Sequence, residues 1–131
     1  MKIAGHAFEC EIDLSLPDSE EWMDANVKVK THQFQGAFTC TVQKSEWLLL
    51  IETLKNLDAS VGKSNELKWQ NMEENIYFEF KLSALGLLEI VYKFSPENFS
   101  VGPVLSGCFT ADQSYIRTWE SSALQEVENA L

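Results

Sequence analysis

Arginine is almost missing from this chain. Arg117 is the only one, and 10 basic residues in all stand against 20 acidic ones, a formal net charge of −10. Nucleic acids are bound through cationic side chains that displace counterions, so this balance excludes nucleic-acid recognition as the main role. It equally disfavours an anionic membrane surface. Long apolar runs are missing too: the longest, Trp47–Ile51, falls far short of the roughly 20 residues a spanning helix needs. Cysteine is sparse. Cys10, Cys40 and Cys108 are odd in number, far apart and without CxxC spacing, which fits neither a disulfide framework nor a zinc knuckle. The opening MKIAGHAFEC has no apolar signal core, so the expected location is the reducing cytoplasm.

Catalytic signatures are also lacking. There is no GxSxG elbow, no HExxH helix, no phosphate-cradling GxxxxGK[ST] and no GxGxxG. His6 and His32 are the only histidines, and pairing one with Cys10 or Cys40 would be the obvious route to a nucleophile or a metal site. Both cysteines, however, fall on the apolar side of alternating segments, where the thiol packs as a small hydrophobe. The expectation is therefore no enzyme, no metal and no cofactor.

What is present is a core. The composition is 45% hydrophobic and 11% aromatic, with Trp22, Trp47, Trp69 and Trp119 spread along the length. No linker, repeat or low-complexity segment divides the chain, so residues 1–131 read as a single domain. From His6 to Leu14 the residues alternate: Phe8, Cys10, Ile12 and Leu14 share one face and Glu9, Glu11 and Asp13 the other. That period of two marks a half-buried strand. The LPDSEEW stretch reads as a turn or short helical connection.

Further strands are expected at Ala25–Thr31, Phe34–Val42, Glu66–Gln70, Ile76–Leu82, Leu87–Phe94 and Leu105–Ala111. If the first two strands pair, Glu9, Glu11 and Asp13 can face Lys28 and Lys30 across the ladder. Between Trp47 and Leu57 the period becomes helical, with Trp47, Leu50, Ile51, Leu54 and Leu57 in one stripe, Ser45 as N-cap and Gly62 near the end. SPENFSVGP reads as a long loop. A second helix, capped by Asp112, carries the stripe Ile116, Trp119, Ala123, Val127 and Ala130. With no regular alternation of strand and helix, the order implies an α+β fold: a largely antiparallel sheet with two amphipathic helices on one face.

Acidic residues are dense from Glu9 to Asp24, namely Glu9, Glu11, Asp13, Asp18, Glu20, Glu21 and Asp24, with no Lys or Arg among them. The run lacks the central glycine and terminal glutamate of a calcium loop. A carboxylate pair for glycoside hydrolysis needs distances that a sequence does not supply. Two readings carry weight: a solvated face partly neutralised by Lys28 and Lys30, or a docking patch for a basic protein. The segment Asp18–Asp24 is the preferred contact, because a connection bearing Glu20 and Glu21 is exposed and has no neighbouring lysine in sequence.

Near the C-terminal end, Leu105-x-Gly107-x-Phe109 runs into Asp112-Gln113-Ser114-Tyr115 and an amphipathic helix. This arrangement resembles the small acidic bacterial proteins of the WapI-type immunity family. Trp22 ahead of a hairpin with Val27, Val29 and Phe38, the Trp47–Leu57 helix, and strands around Trp69, Phe78–Phe80 and Leu87–Val91 fit the same outline. Ile116 stands where the family pattern suggests leucine, and Gly107 where it suggests something larger. The resemblance implies protection of a cell from a toxin made by itself or its kin. It brings no catalytic residues, and the DQSY motif reads as structure, Asp112 accepting the main-chain N–H groups of Ser114 and Tyr115. The function expected is toxin neutralisation by surface occlusion, with a basic toxin domain as partner. The alternative is a non-enzymatic module for a small ligand or peptide.

Overall fold

In a computed structural model the described residues are 1–97 and 101–130. Part of the SPENFSVGP loop, residues 98–100, lies outside them. Strands β1 (Lys2–Gly5), β2 (Phe8–Leu14), β3 (Trp22–Thr31) and β4 (Gln35–Gln43) precede helix α1 (Lys44–Ala59). Then β5 (Asn65–Gln70), β6 (Ile76–Leu82), β7 (Leu87–Phe94) and β8 (Leu105–Asp112) precede helix α2 (Tyr115–Asn129). The order ββββα thus occurs twice, though no repeat is visible in the residues. The fold is α+β, with every paired strand antiparallel.

The strands form two four-stranded sheets, ordered β1-β2-β3-β4 and β5-β6-β7-β8, where the sequence suggested one. The sheets meet along β1 and β8. There the His6 N–H donates to the Thr110 carbonyl at 3.0 Å, and a Cβ on Gly5 would stand 2.5 Å from the Phe109 ring. Only glycine allows so close an approach. Inside the seam Phe8 stacks on Phe109, with ring centroids 4.2 Å apart. Offset aromatic stacks of this kind add to the area they bury.

The helices pack on each other and tie the halves together. α1 lies against β4 and β5, and α2 against β1 and β2. Each expected helical stripe is buried, Trp47, Leu50, Ile51, Leu54 and Leu57 on α1 and Ile116, Trp119, Ala123 and Val127 on α2. Indole N–H groups in such a core need acceptors. Trp47 Nε1 donates to the Ala123 carbonyl on α2 at 2.9 Å, and Trp69 Nε1 to the Glu46 carbonyl on α1 at 2.8 Å. Truncating a fully buried tryptophan such as Trp47 to alanine costs about 3–5 kcal/mol.

Several boundaries differ from the sequence reading for physical reasons. The chain between Lys2 and Leu14 is a hairpin, not a single strand from His6, because Ala7 adopts a left-handed φ of 58° and turns it. The 15–21 connection contains no helix. α1 starts earlier than expected: its N-cap is Gln43, not Ser45, and the Glu46 carboxylate accepts the Gln43 N–H at 2.7 Å. That carboxylate also accepts the Met72 N–H, so a buried acid staples α1 to the β5–β6 turn. α1 ends at Ser60 rather than at Gly62.

The N-cap of α2 is Ser114, because Asp112 still belongs to β8. Asp112 closes the turn instead: it accepts the Ser114 N–H at 2.9 Å, and no bond to the Tyr115 N–H accompanies it. The rest of DQSY is likewise structural in part. The Gln113 carboxamide lies over Gly86 of the β6–β7 turn, while Tyr115, half-exposed, stacks on Trp119 with ring centroids 6.4 Å apart. The departure at Gly107 has a cause as well. Its partner across the ladder is Tyr92, whose Oη would lie 2.7 Å from any Cβ placed there.

Candidate partner-binding surface

The seven acids of the 9–24 segment divide into two groups with different surroundings. Glu9, Glu11 and Asp13 alternate outward on β2, as their period of two requires. Across the ladder Glu9 faces Lys30 and Glu11 faces Lys28, the expected pairing, while on the other side Glu11 faces Lys2. Lys2 Nζ lies 3.0 Å from Glu9 Oε1. Glu9 and Glu11 therefore sit among lysines, and the potential of this end of the face is largely cancelled. Asp13 is different. Its partner across the ladder is the neutral Asn26, which Asp24 and Lys28 flank at equal distance along β3.

Asp18, Glu20 and Glu21 continue the acidic region beyond the strand ends, all exposed. The connection is held rigidly. Ser15 N–H donates to the Asp24 carbonyl at 2.9 Å, and the Asp24 N–H donates to Ser15 Oγ at 2.8 Å. Asp18 accepts two main-chain N–H groups, from Glu20 at 2.8 Å and Trp22 at 2.9 Å. Glu21 takes a left-handed φ of 66° and accepts the Lys44 N–H at 2.9 Å, which brings one lysine to the rim. In the same loop Leu16 is 70% exposed. The sequence reading passed over Leu16, since a lone apolar residue beside a proline gives no periodic signal; only its exposure singles it out.

The candidate chemical groups are kept apart. His6 and His32 are exposed, with ring centroids 6.4 Å apart, at the tips of adjacent hairpins. Cys10 and Cys40 are buried in the core, and all the cysteines are free. Burial pushes the Cys40 thiol up to about 12, and the Cys10 thiol is also driven upward by burial. Both are held in the unreactive protonated form. Among the described residues no group of three or more His, Cys, Asp or Glu is placed to hold a metal ion. No helix among them is long and apolar enough to cross a membrane.

These features describe an acidic α+β protein with an exposed acidic face on its first sheet. The comparisons with known proteins agree: the model of the immunity protein WapI-like family matches residues 1–130, and the chain belongs to that family. No curated protein matches. Among solved structures, a protein of unknown function of the DUF155 family from Prochlorococcus sp. NATL2A aligns over 95% of this chain and 97% of its own. With 9% identity and a TM-score of 0.35, that likeness carries no argument. Membership gives the chain an immunity-type role in general.

Proposed function

We propose that this chain neutralises a bacterial toxin domain in the cytoplasm by covering part of its surface, and that the covered surface is basic. The observation that carries the reading is the acidic end of the first sheet. Asp13, Asp18, Glu20, Glu21 and Asp24 are exposed there, with Lys44 alone at the rim, and Leu16 of the same loop is exposed with them. A surface of mostly one charge sign that also presents an apolar side chain suits a partner of opposite sign: the charges steer encounter, and the leucine anchors contact. Glu9 and Glu11, set among lysines, contribute less.

The test is co-expression with a candidate basic toxin domain. A variant with Glu20→Gln, Glu21→Gln and Asp24→Asn keeps the Asp18 turn, and the Asp24 ties to Ser15 run through its main chain. It should fold normally and protect less well when toxin is in excess. Undiminished protection, with the association rate unchanged at low salt, removes this loop from the interface.

A further inference from the structure

Among the described residues, the first half of β4 is an edge with none of the usual protection. In antiparallel pairing, alternate residues turn their main-chain groups away from the neighbour. The Thr31 N–H donates to the Phe34 carbonyl at 2.7 Å, which fixes Gly36, Phe38 and Cys40 as the residues bonded to β3. Gln35, Ala37 and Thr39 therefore point their N–H and C=O groups outward, and none of these groups has a partner among the described residues. Only further along does one outward group find a partner: the Thr41 carbonyl accepts from Asn71 Nδ2 at 3.3 Å.

Soluble proteins blunt such edges with charge, proline or a covering element. The other outer edge, β5, carries Glu66 and Lys68. β1 is covered by β8 and α2. β4, QGAFTCTVQ, has no charged residue and no proline.

Two further observations lie against this edge. On the inward side a cleft of about 320 Å³ opens between the start of β4 and the start of β8, with Phe34, Phe38, Phe94, Val104 and Leu105 in its walls. Gly36 leaves the inward position over this cleft vacant among the described residues: a Cβ there meets none of them within 4 Å. On the outward side, Lys28 and Lys30 lie between Glu11 and Glu9 on β2 and Ala37 and Gln35 on β4. Although they face those carboxylates, neither is in an ion pair among the described residues, so both ammonium groups can turn towards β4. Ala37 is too small to screen the Lys28 ammonium from a neighbouring strand.

We infer that the β4 edge receives an extended segment of a partner protein as an added strand, with apolar side chains on one face and acidic ones on the other. The outward groups of Gln35, Ala37 and Thr39 supply the ladder, the vacancy over Gly36 accepts an apolar side chain, and Lys28 and Lys30 meet the carboxylates. A second copy of this chain fits less well. Its own β4, QGAFTCTVQ, carries no carboxylate to set over Lys28 and Lys30. This surface is separate from the acidic loop and does not depend on the docking proposed there.

The probe is a short blocked synthetic peptide alternating valine and glutamate, titrated into the isotopically labelled full chain and followed through its amide resonances. Saturable shifts should centre on Gln35, Ala37 and Thr39. The valine–lysine counterpart should bind about tenfold more weakly. Methylating alternate amide nitrogens of the peptide removes the ladder donors without touching the protein, and should abolish binding. Ala37→Pro removes an outward N–H while leaving the β3 ladder intact, and should do the same. The E20Q/E21Q/D24N variant should bind the peptide as well as the unaltered chain does, which keeps this result independent of the acidic loop. The inference is overturned by no saturable binding of the valine–glutamate peptide, by equal binding of the N-methylated peptide, or by a β4-dependent homodimer that excludes peptide.

Discussion

Asp18 Oδ1 accepts the Trp22 N–H at 2.9 Å, and the same oxygen accepts the Glu20 N–H at 2.8 Å. Asp18 was expected only as a contact residue, but its first role is to shape the loop that presents the others. Asp18→Ala should lower stability by about 0.5–1.5 kcal/mol, the usual net value of such hydrogen bonds. Asp18→Asn should be close to neutral, since a carboxamide oxygen accepts the same N–H groups. Urea denaturation of the two variants checks this. Equal losses in both would mean that charge, not hydrogen bonding, holds the turn.

Asp112 gives a prediction in acid. Its carboxyl is held below the usual range, chiefly by the Ser114 N–H that it accepts. A group with a lowered folded-state pKa stabilises the fold above its unfolded value and loses that contribution as pH falls. The unaltered protein should therefore lose stability on acidification more steeply than Asp112→Asn, whose turn does not titrate. Superimposable stability curves between about pH 6 and pH 2 would show that the Asp112–Ser114 bond does not persist in solution.

The buried thiols give the opposite slope. Cys40 is raised from 9.0 to about 12 by burial first and Glu46 second. Below 9.0 its contribution is complete; above that, the unfolded chain ionises before the folded one and stability falls as pH rises through the interval to about 12. Cys10 acts in the same direction. Cys40→Ala should flatten part of this alkaline loss. In the native state Cys108, which is exposed, should alkylate first, and Cys10 and Cys40 only slowly. Fast labelling of Cys10 or Cys40 would contradict their place in the core.

The elements legible in the sequence were those with a clean period. Ile76, Phe78, Phe80 and Leu82 alternate without interruption, and β6 spans the expected residues. The α1 and α2 stripes were equally plain. β1 escaped because its turn, His6-Ala7, lacks the glycine or asparagine that normally marks a left-handed position. The division into two sheets was not legible, because it depends on contacts such as Phe8 with Phe109, about a hundred residues apart, to which periodicity is blind. The acidic run was visible as composition. Its pairing with Lys28 and Lys30 was legible too, but not the part of Lys2, which reaches Glu11 only through the register of β1, nor that Asp13 falls opposite Asn26.

Leu16 and its acidic surroundings should separate in kinetics. Long-range charge acts on encounter, whereas a side chain buried on contact acts on dissociation. The E20Q/E21Q/D24N variant should therefore slow association with a basic toxin domain and leave dissociation nearly unchanged. Its effect should shrink as added salt shortens the Debye length from about 30 Å towards 8 Å. Leu16→Ala should do the reverse: association unaltered, dissociation faster by about tenfold or more if the side chain enters a pocket on the partner. Leu16 is 70% exposed, so its removal leaves no cavity in the core and should not lower the stability of the free chain. Surface-plasmon measurements at low and physiological salt distinguish the two effects. If Leu16→Ala dissociates as slowly as the unaltered protein, Leu16 stays exposed in the complex. The contact would then have to lie elsewhere on the acidic end, with the Asp13–Asp24 pair on the outer face of β2 and β3 as the next residues to replace.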